Sequence, residues 1–189
     1  MTVLHTERLT LRPLVAADAE LYAGMRYHPE VAKWLSPADK SAGGLSPADA
    51  DPIDAARATI GRFELSWQDR RYAPWGLFRD GELIGHGGLN WVPEFGETEV
   101  LWALHPDAWR QGYATEMARA ALDYGFKDLG LELIFAITKP DNDPSRAVMT
   151  RLGMTYRKNV VYRGFDAEWL DISREKWLGK GAACVVSRR

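Results

Sequence analysis

Between Leu104 and Thr115 the chain reads "LHPDAWRQGYAT", an apolar end, then a polar turn with a glycine, running into an amphipathic stretch that reaches Phe126. The first amides of a helix lack internal partners, and the macrodipole places partial positive charge there. A turn of this kind therefore favours an anion, often a phosphate. Gly112 lets the backbone come close, Arg110 adds a charge-assisted contact and Thr115 a hydroxyl donor, while no acid lies between Asp107 and Glu116. Many strand-to-helix turns carry a glycine for steric reasons alone, so these residues by themselves fit either a phosphate site or a plain turn.

Positioning such a turn requires a strand before it and a helix after it. "TEVLWAL" supplies the strand, and the helix opens at about Ala114. Upstream, "RLTLRPL" alternates apolar and polar residues over Arg8 to Leu14, the period of a half-buried strand. Ala19, Leu21, Tyr22, Met25 and Arg26 follow at near-helical spacing, with a short helical turn after Pro29. Residues 36–52 read as a surface loop, "SPADKSAGGLSPADADP", in which Asp51 and Pro52 make an N-cap and first position for a helix running to about Trp67. Tyr72 to Val92 reads as a hairpin about Asp80-Gly81. "LELIFAIT" is a buried strand, "PSRAVMTRLG" a short helix stopped by Gly153, and "MTYRKNVVYRG" with "AEWLDISREKW" a closing hairpin. This order predicts an α+β fold on a mixed sheet, since strands and helices do not strictly alternate.

With 189 residues, 46% hydrophobic and 26% charged, the chain is long enough for one domain, spanning 1–178, with 179–189 as a flexible tail. A net charge of -2 gives no basic field to draw it onto nucleic acid or an anionic membrane, and no apolar run approaches a membrane span. Cys184 is alone and cannot close an intramolecular disulfide. Together with a start, "MTVLHTERLTLRPL", that lacks a basic and apolar leader, this points to the cytoplasm. His5, His28, His86 and His105 have no ligand-like spacing to one another or to Cys184, so no metal site is expected.

The sequence resembles the GCN5-related N-acetyltransferase (GNAT) superfamily, and within it the RimJ/RimL-like branch. The resemblance runs through "TERLTLRPL", "WALHPDAW", the loop Trp109-Arg110-Gln111-Gly112-Tyr113-Ala114 followed by Thr115, and "KPDNDPSRAVMTRLGM", covering Thr6 to Trp177. It implies a mixed, mostly antiparallel central sheet with splayed strands flanked by helices. It implies acetyl-CoA as co-substrate, its pyrophosphate held by the turn from Trp109 to Thr115 and its thioester polarised by a main-chain amide at about Leu104. Asn142 would meet the pantetheine arm. Ser145, three residues on, would bind it and protonate the leaving thiolate, or else only cap its helix; Tyr156 is the alternative acid.

The acceptor implied is a primary amine, either a protein or peptide amino terminus or a small molecule. An α-amine with pKa about 7.7–8.0 is substantially neutral near pH 7, so a weak base suffices, whereas a lysine near 10.4 needs about 4 kcal/mol. Glu97, Glu99, His105 and Asp166 are the candidates, and strand alternation favours Glu99. Trp34, Trp67, Trp75 and Trp91 fall where relatives line the acceptor cleft, and indoles there would suit an aromatic, apolar or cationic amine. Asn159 stands where ribosomal-protein acetylating relatives carry a candidate glutamate base, which argues against that substrate. A homodimer is compatible with the resemblance. A coenzyme A-binding regulatory module without turnover is the rival reading. A dinucleotide oxidoreductase fares worse, because the first glycine of its fingerprint is missing.

Overall fold

The computed structural model describes residues 1–35, 51–179 and, for the backbone, 187–188. Most of the 36–52 loop and of the tail, Cys184 included, therefore lies outside the described residues.

The strands are β1 (Leu4–His5), β2 (Thr10–Arg12), β3 (Pro74–Arg79), β4 (Glu82–Val92), β5 (Glu97–Leu104), β6 (Leu133–Thr138), β7 (Thr155–Tyr162), β8 (Phe165–Ser173) and β9 (Ser187–Arg188). The helices are α1 (Ala19–Arg26), α2 (Pro29–Ala32), α3 (Pro52–Arg70), α4 (Tyr113–Asp123), α5 (Asp143–Leu152) and α6 (Arg174–Leu178). The strands join in one sheet in the order β7-β8-β6-β5-β4-β3-β2-β1-β9. Every pairing is antiparallel except β5 with β6, giving the mixed α+β sheet that the residue order predicts.

That parallel pairing is reduced to a single partnership, Glu99 with Phe135, although β5 continues to Leu104 and β6 to Thr138. The sheet is split down its middle from that point. On its other edge β5 stays fully laddered to β4, from Val92↔Glu97 to Gly85↔Leu104.

Alternation along β4 and β5 assigns the helices to faces. His86 meets Tyr22 of α1 and Phe63 of α3, whereas a Cβ added to its neighbour Gly87 would lie 2.5 Å from the side chain of Met117 on α4. Thus α1 and α3 cover one face and α4 the other. The core divides accordingly: Val100 and Leu104 pack with Met117, Ala121 and, from α5, Met149, while Ala103 packs with Tyr22, Ala56 and Ile60. A third cluster joins Val92, Phe135, Tyr162 and Trp169 beyond the split, with the Phe135 and Trp169 rings stacked 3.8 Å apart.

Helix starts follow local chemistry. Asp51 Oδ1 accepts from the amides of Ile53 and Asp54 with Pro52 first in the helix, as its sequence predicts. The Asp80-Gly81 turn has both φ values positive, the signature of a tight hairpin. Three departures from the sequence reading are small. The opening strand shortens to β2, and the additional β1 precedes it. The last strand gives way to α6, because Ser173 Oγ accepts from the amide of Lys176 and caps a new helix. Ser187 and Arg188, assigned to a flexible tail, pair with His5 and Leu4.

Candidate active site

The described residues line a continuous cleft of about 2370 Å³ that runs from the start of α4, through the β5–β6 split, to the α1–α3 face. At the α4 end, Arg110 has φ +61 and Gly112 +83. Left-handed residues in a turn swing amides toward one side and form an anion-binding concavity. The left-handed conformation costs a non-glycine residue about 1–2 kcal/mol, so Arg110 is held there by its surroundings. Those surroundings are visible: Trp109 Nε1 donates to the carbonyl of Leu104 at 2.8 Å, and Gln111 Nε2 to that of Asp107 at 2.6 Å.

Arg8 completes this end, and the sequence reading missed it. It donates to the Gln111 carbonyl at 2.9 Å, and its guanidinium grips Glu116 at 2.6 Å. Its stacking over Tyr113, 4.5 Å away, ties the opening segment to the turn. Glu116, the acid nearest the helix start, is thereby matched by a cation that itself lies beside Gly112. The signal was present in "TERLTLRPL", but nothing local links that segment to a turn a hundred residues later.

At the split, the phase of the β4–β5 ladder decides which amides are available. His105 N donates to the Ile84 carbonyl, so odd-numbered residues of β5 bond toward β4. Trp102 and Leu104 turn their amides to the opposite edge, where β6 has parted. Across the gap, Trp102 Nε1 donates to Ser145 Oγ at 3.3 Å. Ser145 therefore keeps its own hydroxyl proton to donate. It does not cap α5: that cap is Asn142, whose Oδ1 accepts from the Ser145 amide at 3.3 Å, leaving the Asn142 side-chain NH2 for the cleft. Trp102 was also missed, though its place two residues before Leu104 on the split strand gives the signal.

On the far face, Glu99 is buried, with Asn90 as its β4 partner and Phe135 as its β6 partner. It lines the cleft at the point where the strands part. His86 and Arg26, both buried, line the same side. Burial, and secondarily the charge of Arg26, push the His86 pKa down to about 3, so the ring is neutral.

Of the sequence-predicted residues, the cleft gathers Glu99, Leu104, Trp109, Arg110, Gln111, Gly112, Tyr113, Ala114, Thr115, Asn142, Ser145, Trp34 and Trp91. It does not include Trp75 or Trp67. Trp75 is fully buried, edge-on to Trp67 and Tyr124, with its Nε1 donating to the Thr2 carbonyl. Both tryptophans are core residues, and the acceptor role assigned to Trp75 is corrected. The other base and acid candidates, Glu97, His105, Asp166 and Tyr156, are not among the residues that line the cleft. Asp166 is exposed; His105 Nδ1 accepts from the Asp107 amide at the start of a 3-10 turn; and Tyr156, half exposed, donates to Asn159 outside the cleft.

The sequence profile of the acetyltransferase (GNAT) domain matches residues 8–155. This chain is a member of the GNAT acetyltransferase family. As such it is an acyl-CoA-dependent acetyltransferase, and its split sheet is the family's architecture. The chain is similar to a Bacillus subtilis protein named uncharacterized N-acetyltransferase YoaA, with 30% identity over 166 residues, 86% of this chain and 87% of that one. Among solved structures it is similar to an acetyltransferase from Agrobacterium tumefaciens, at TM-score 0.71 and 29% identity, covering 91% of this chain and 94% of the other. Mycobacterium smegmatis RimJ in complex with CoA-disulfide shares the fold at TM-score 0.75 and 19% identity, covering 96% and 95%. No helix among the described residues is long and apolar enough to cross a membrane, and no cluster of metal-ligating side chains occurs among them.

Proposed function

We propose that this GNAT protein is an N-acetyltransferase of the RimJ/RimL-like branch that transfers the acetyl group of acetyl-CoA to a primary amine by direct attack in a ternary complex. The observation that carries this reading is the single-residue contact between β5 and β6, which opens the sheet directly in front of the α4 turn. The cofactor carbonyl then has the outward-turned amide of Leu104 as its donor, a contact of a kind worth about 10²–10³ in rate when aimed at developing oxyanion charge.

The remaining roles follow position. The amides from Gln111 to Thr115, with Arg110 and Arg8, hold the pyrophosphate; the side-chain NH2 of Asn142 faces the pantetheine arm. Glu99 takes the proton of the incoming ammonium. The neutral amine attacks the thioester carbon, its nitrogen releases a second proton to solvent, the C–S bond breaks, and the thiolate receives a proton from the Ser145 hydroxyl, which solvent restores. The thiol pKa, about 8.5, makes that proton helpful rather than essential. Trp34 and Trp91 border the acceptor.

The test is calorimetric titration with acetyl-CoA, followed by thiol release against a panel of amines. Gly112→Val forces a β-branched side chain into a left-handed conformation. Acetyl-CoA affinity should fall about tenfold or more, while the helical circular dichroism persists. Unchanged affinity would remove the phosphate-turn assignment, and absence of binding to the unmodified chain would remove the whole reading.

A further inference from the structure

Within the proposed function, on which this inference rests, Ser145 is the group that meets the leaving sulfur. Its hydroxyl is held from β5. Trp102 lies three residues past Glu99, the one point at which β5 pairs with β6, and its β4 partner is Gly87, which has no side chain to lay against the indole. The ring is seated instead against the main core cluster, half-buried, with Nε1 donating to Ser145 Oγ at 3.3 Å. Both residues line the cleft.

A serine hydroxyl rotates, and within a helix it has a competing partner in the carbonyl four residues back. This chain shows that habit twice: the Thr59 hydroxyl donates to the Ala55 carbonyl at 3.0 Å, and that of Thr150 to the Arg146 carbonyl at 2.9 Å. Ser145 departs from it. Among the described residues its hydroxyl makes one hydrogen bond, the one it accepts from Trp102. An indole N–H is a donor only, so this bond cannot run in reverse and leaves the hydroxyl proton for the cleft.

The same bond bears on acidity. A serine hydroxyl is a weaker acid than a thiol, whose pKa is about 8.5, so parting with its proton is uphill unless another donor meets the charge left on oxygen. The indole is already aimed at that oxygen. At 3.3 Å the bond is longer than the usual value of about 2.9–3.0 Å, as catalytic hydrogen bonds often are before a ligand arrives, and it has room to shorten as charge gathers.

We propose that Trp102 is a positioning residue for the leaving-group step: its indole N–H holds Ser145 Oγ, turns the hydroxyl proton toward the sulfur and steadies the oxygen while that proton departs. As the C–S bond breaks, its electron pair stays on sulfur, sulfur takes the Oγ proton, water returns one to Oγ, and the indole keeps its own throughout.

The test needs no acceptor. The full chain is loaded with coenzyme A and the bound thiol is titrated by the ultraviolet absorbance of its thiolate, with the acetyl-CoA-loaded chain, which carries no cofactor thiol, as the blank. A Ser145 hydroxyl turned to the sulfur donates to the thiolate and holds the midpoint down. In Trp102→Phe, which keeps an aromatic ring and loses the N–H, the midpoint should rise by about half a pH unit or more, with coenzyme A affinity at pH 7 changed by less than about twofold in calorimetry. Ser145→Ala should raise it at least as far, and the double variant no further than Ser145→Ala alone, because Trp102 acts through the serine. Where an amine of the panel turns over, kcat should follow the same pattern. Replacing the Trp102 indole by benzothiophene, equal in shape but without the N–H, keeps the test decisive if the phenylalanine variant does not fold.

A midpoint unmoved in Trp102→Phe, a midpoint unmoved in Ser145→Ala, or shifts that add in the double variant would each overturn the inference while leaving the cofactor reading intact. Failure of coenzyme A to bind the unmodified chain would strike the proposed function, and the inference with it.

Discussion

The two faces of the split sheet offer different chemistry to the cleft. On the α4 face the polar groups are mostly main chain: the turn amides, the outward amide of Leu104, and side chains such as Trp109 and Gln111 that satisfy carbonyls and so fix the turn. On the α1–α3 face they are side chains brought in by separate elements: Arg26 from α1, Arg62 from α3, His86 from β4 and Glu99 from β5. A backbone site is insensitive to most side-chain changes and sensitive to conformation. A side-chain site has the opposite character, so one face suits an invariant cofactor and the other a variable acceptor.

The sharpest way to break that contrast is to remove a residue that belongs to neither face. Trp75→Ala should lower stability by about 3–5 kcal/mol, the usual cost of truncating a buried tryptophan, with the acceptor KM of the folded fraction unchanged. Chemical denaturation and steady-state kinetics check this, and a large KM change with normal stability would return Trp75 to the acceptor site.

Next in size is Glu99→Gln, which keeps shape and removes the carboxylate proposed as the base. The turnover number should drop by about 10² or more with acetyl-CoA affinity unaltered in calorimetry, since the acceptor face alone is touched. Equal losses in both would mean that the two faces are not separable.

The smallest effect sharpens the electrostatics of the acceptor face. His86 has a folded pKa near 3 against 6.5 when unperturbed. Between these values the unfolded chain binds a proton that the folded chain refuses, so stability falls as pH drops below 6.5. The slope from this group is at most about 1.4 kcal/mol per pH unit. Urea titrations from pH 7 to 5 should show that decline, flattened in His86→Gln; an identical pH slope in the variant would place the ring in solvent contact.

The legibility of the site follows the same division. The glycine turn at the start of α4 was readable because its signals are local: a left-handed residue favours glycine, and a helix start carries unpaired amides wherever it occurs. Asn142 and Ser145 were readable as a spaced pair, yet which of them capped the helix was not, since both residue types cap and only the bond from the Ser145 amide distinguishes them. Arg8 and Trp102 escaped notice because their partners, Glu116 and Ser145, lie far along the chain. Trp75 was misplaced for a related reason. A tryptophan in an alternating strand faces one side or the other, and composition does not say which side holds the core.

The sequence by itself determined the order of most elements, the Asp51-Pro52 helix start, the tight turn at Asp80-Gly81 and the glycine turn before α4, all set by interactions between near neighbours. The tertiary structure alone decided where β6 leaves β5, which amides of β5 face the opening, and which charged side chains line the α1–α3 side of the cleft. Those depend on ladder phase and on packing between distant segments, and hydrogen bonds and apolar contacts of that kind are fixed only when the whole sheet is assembled.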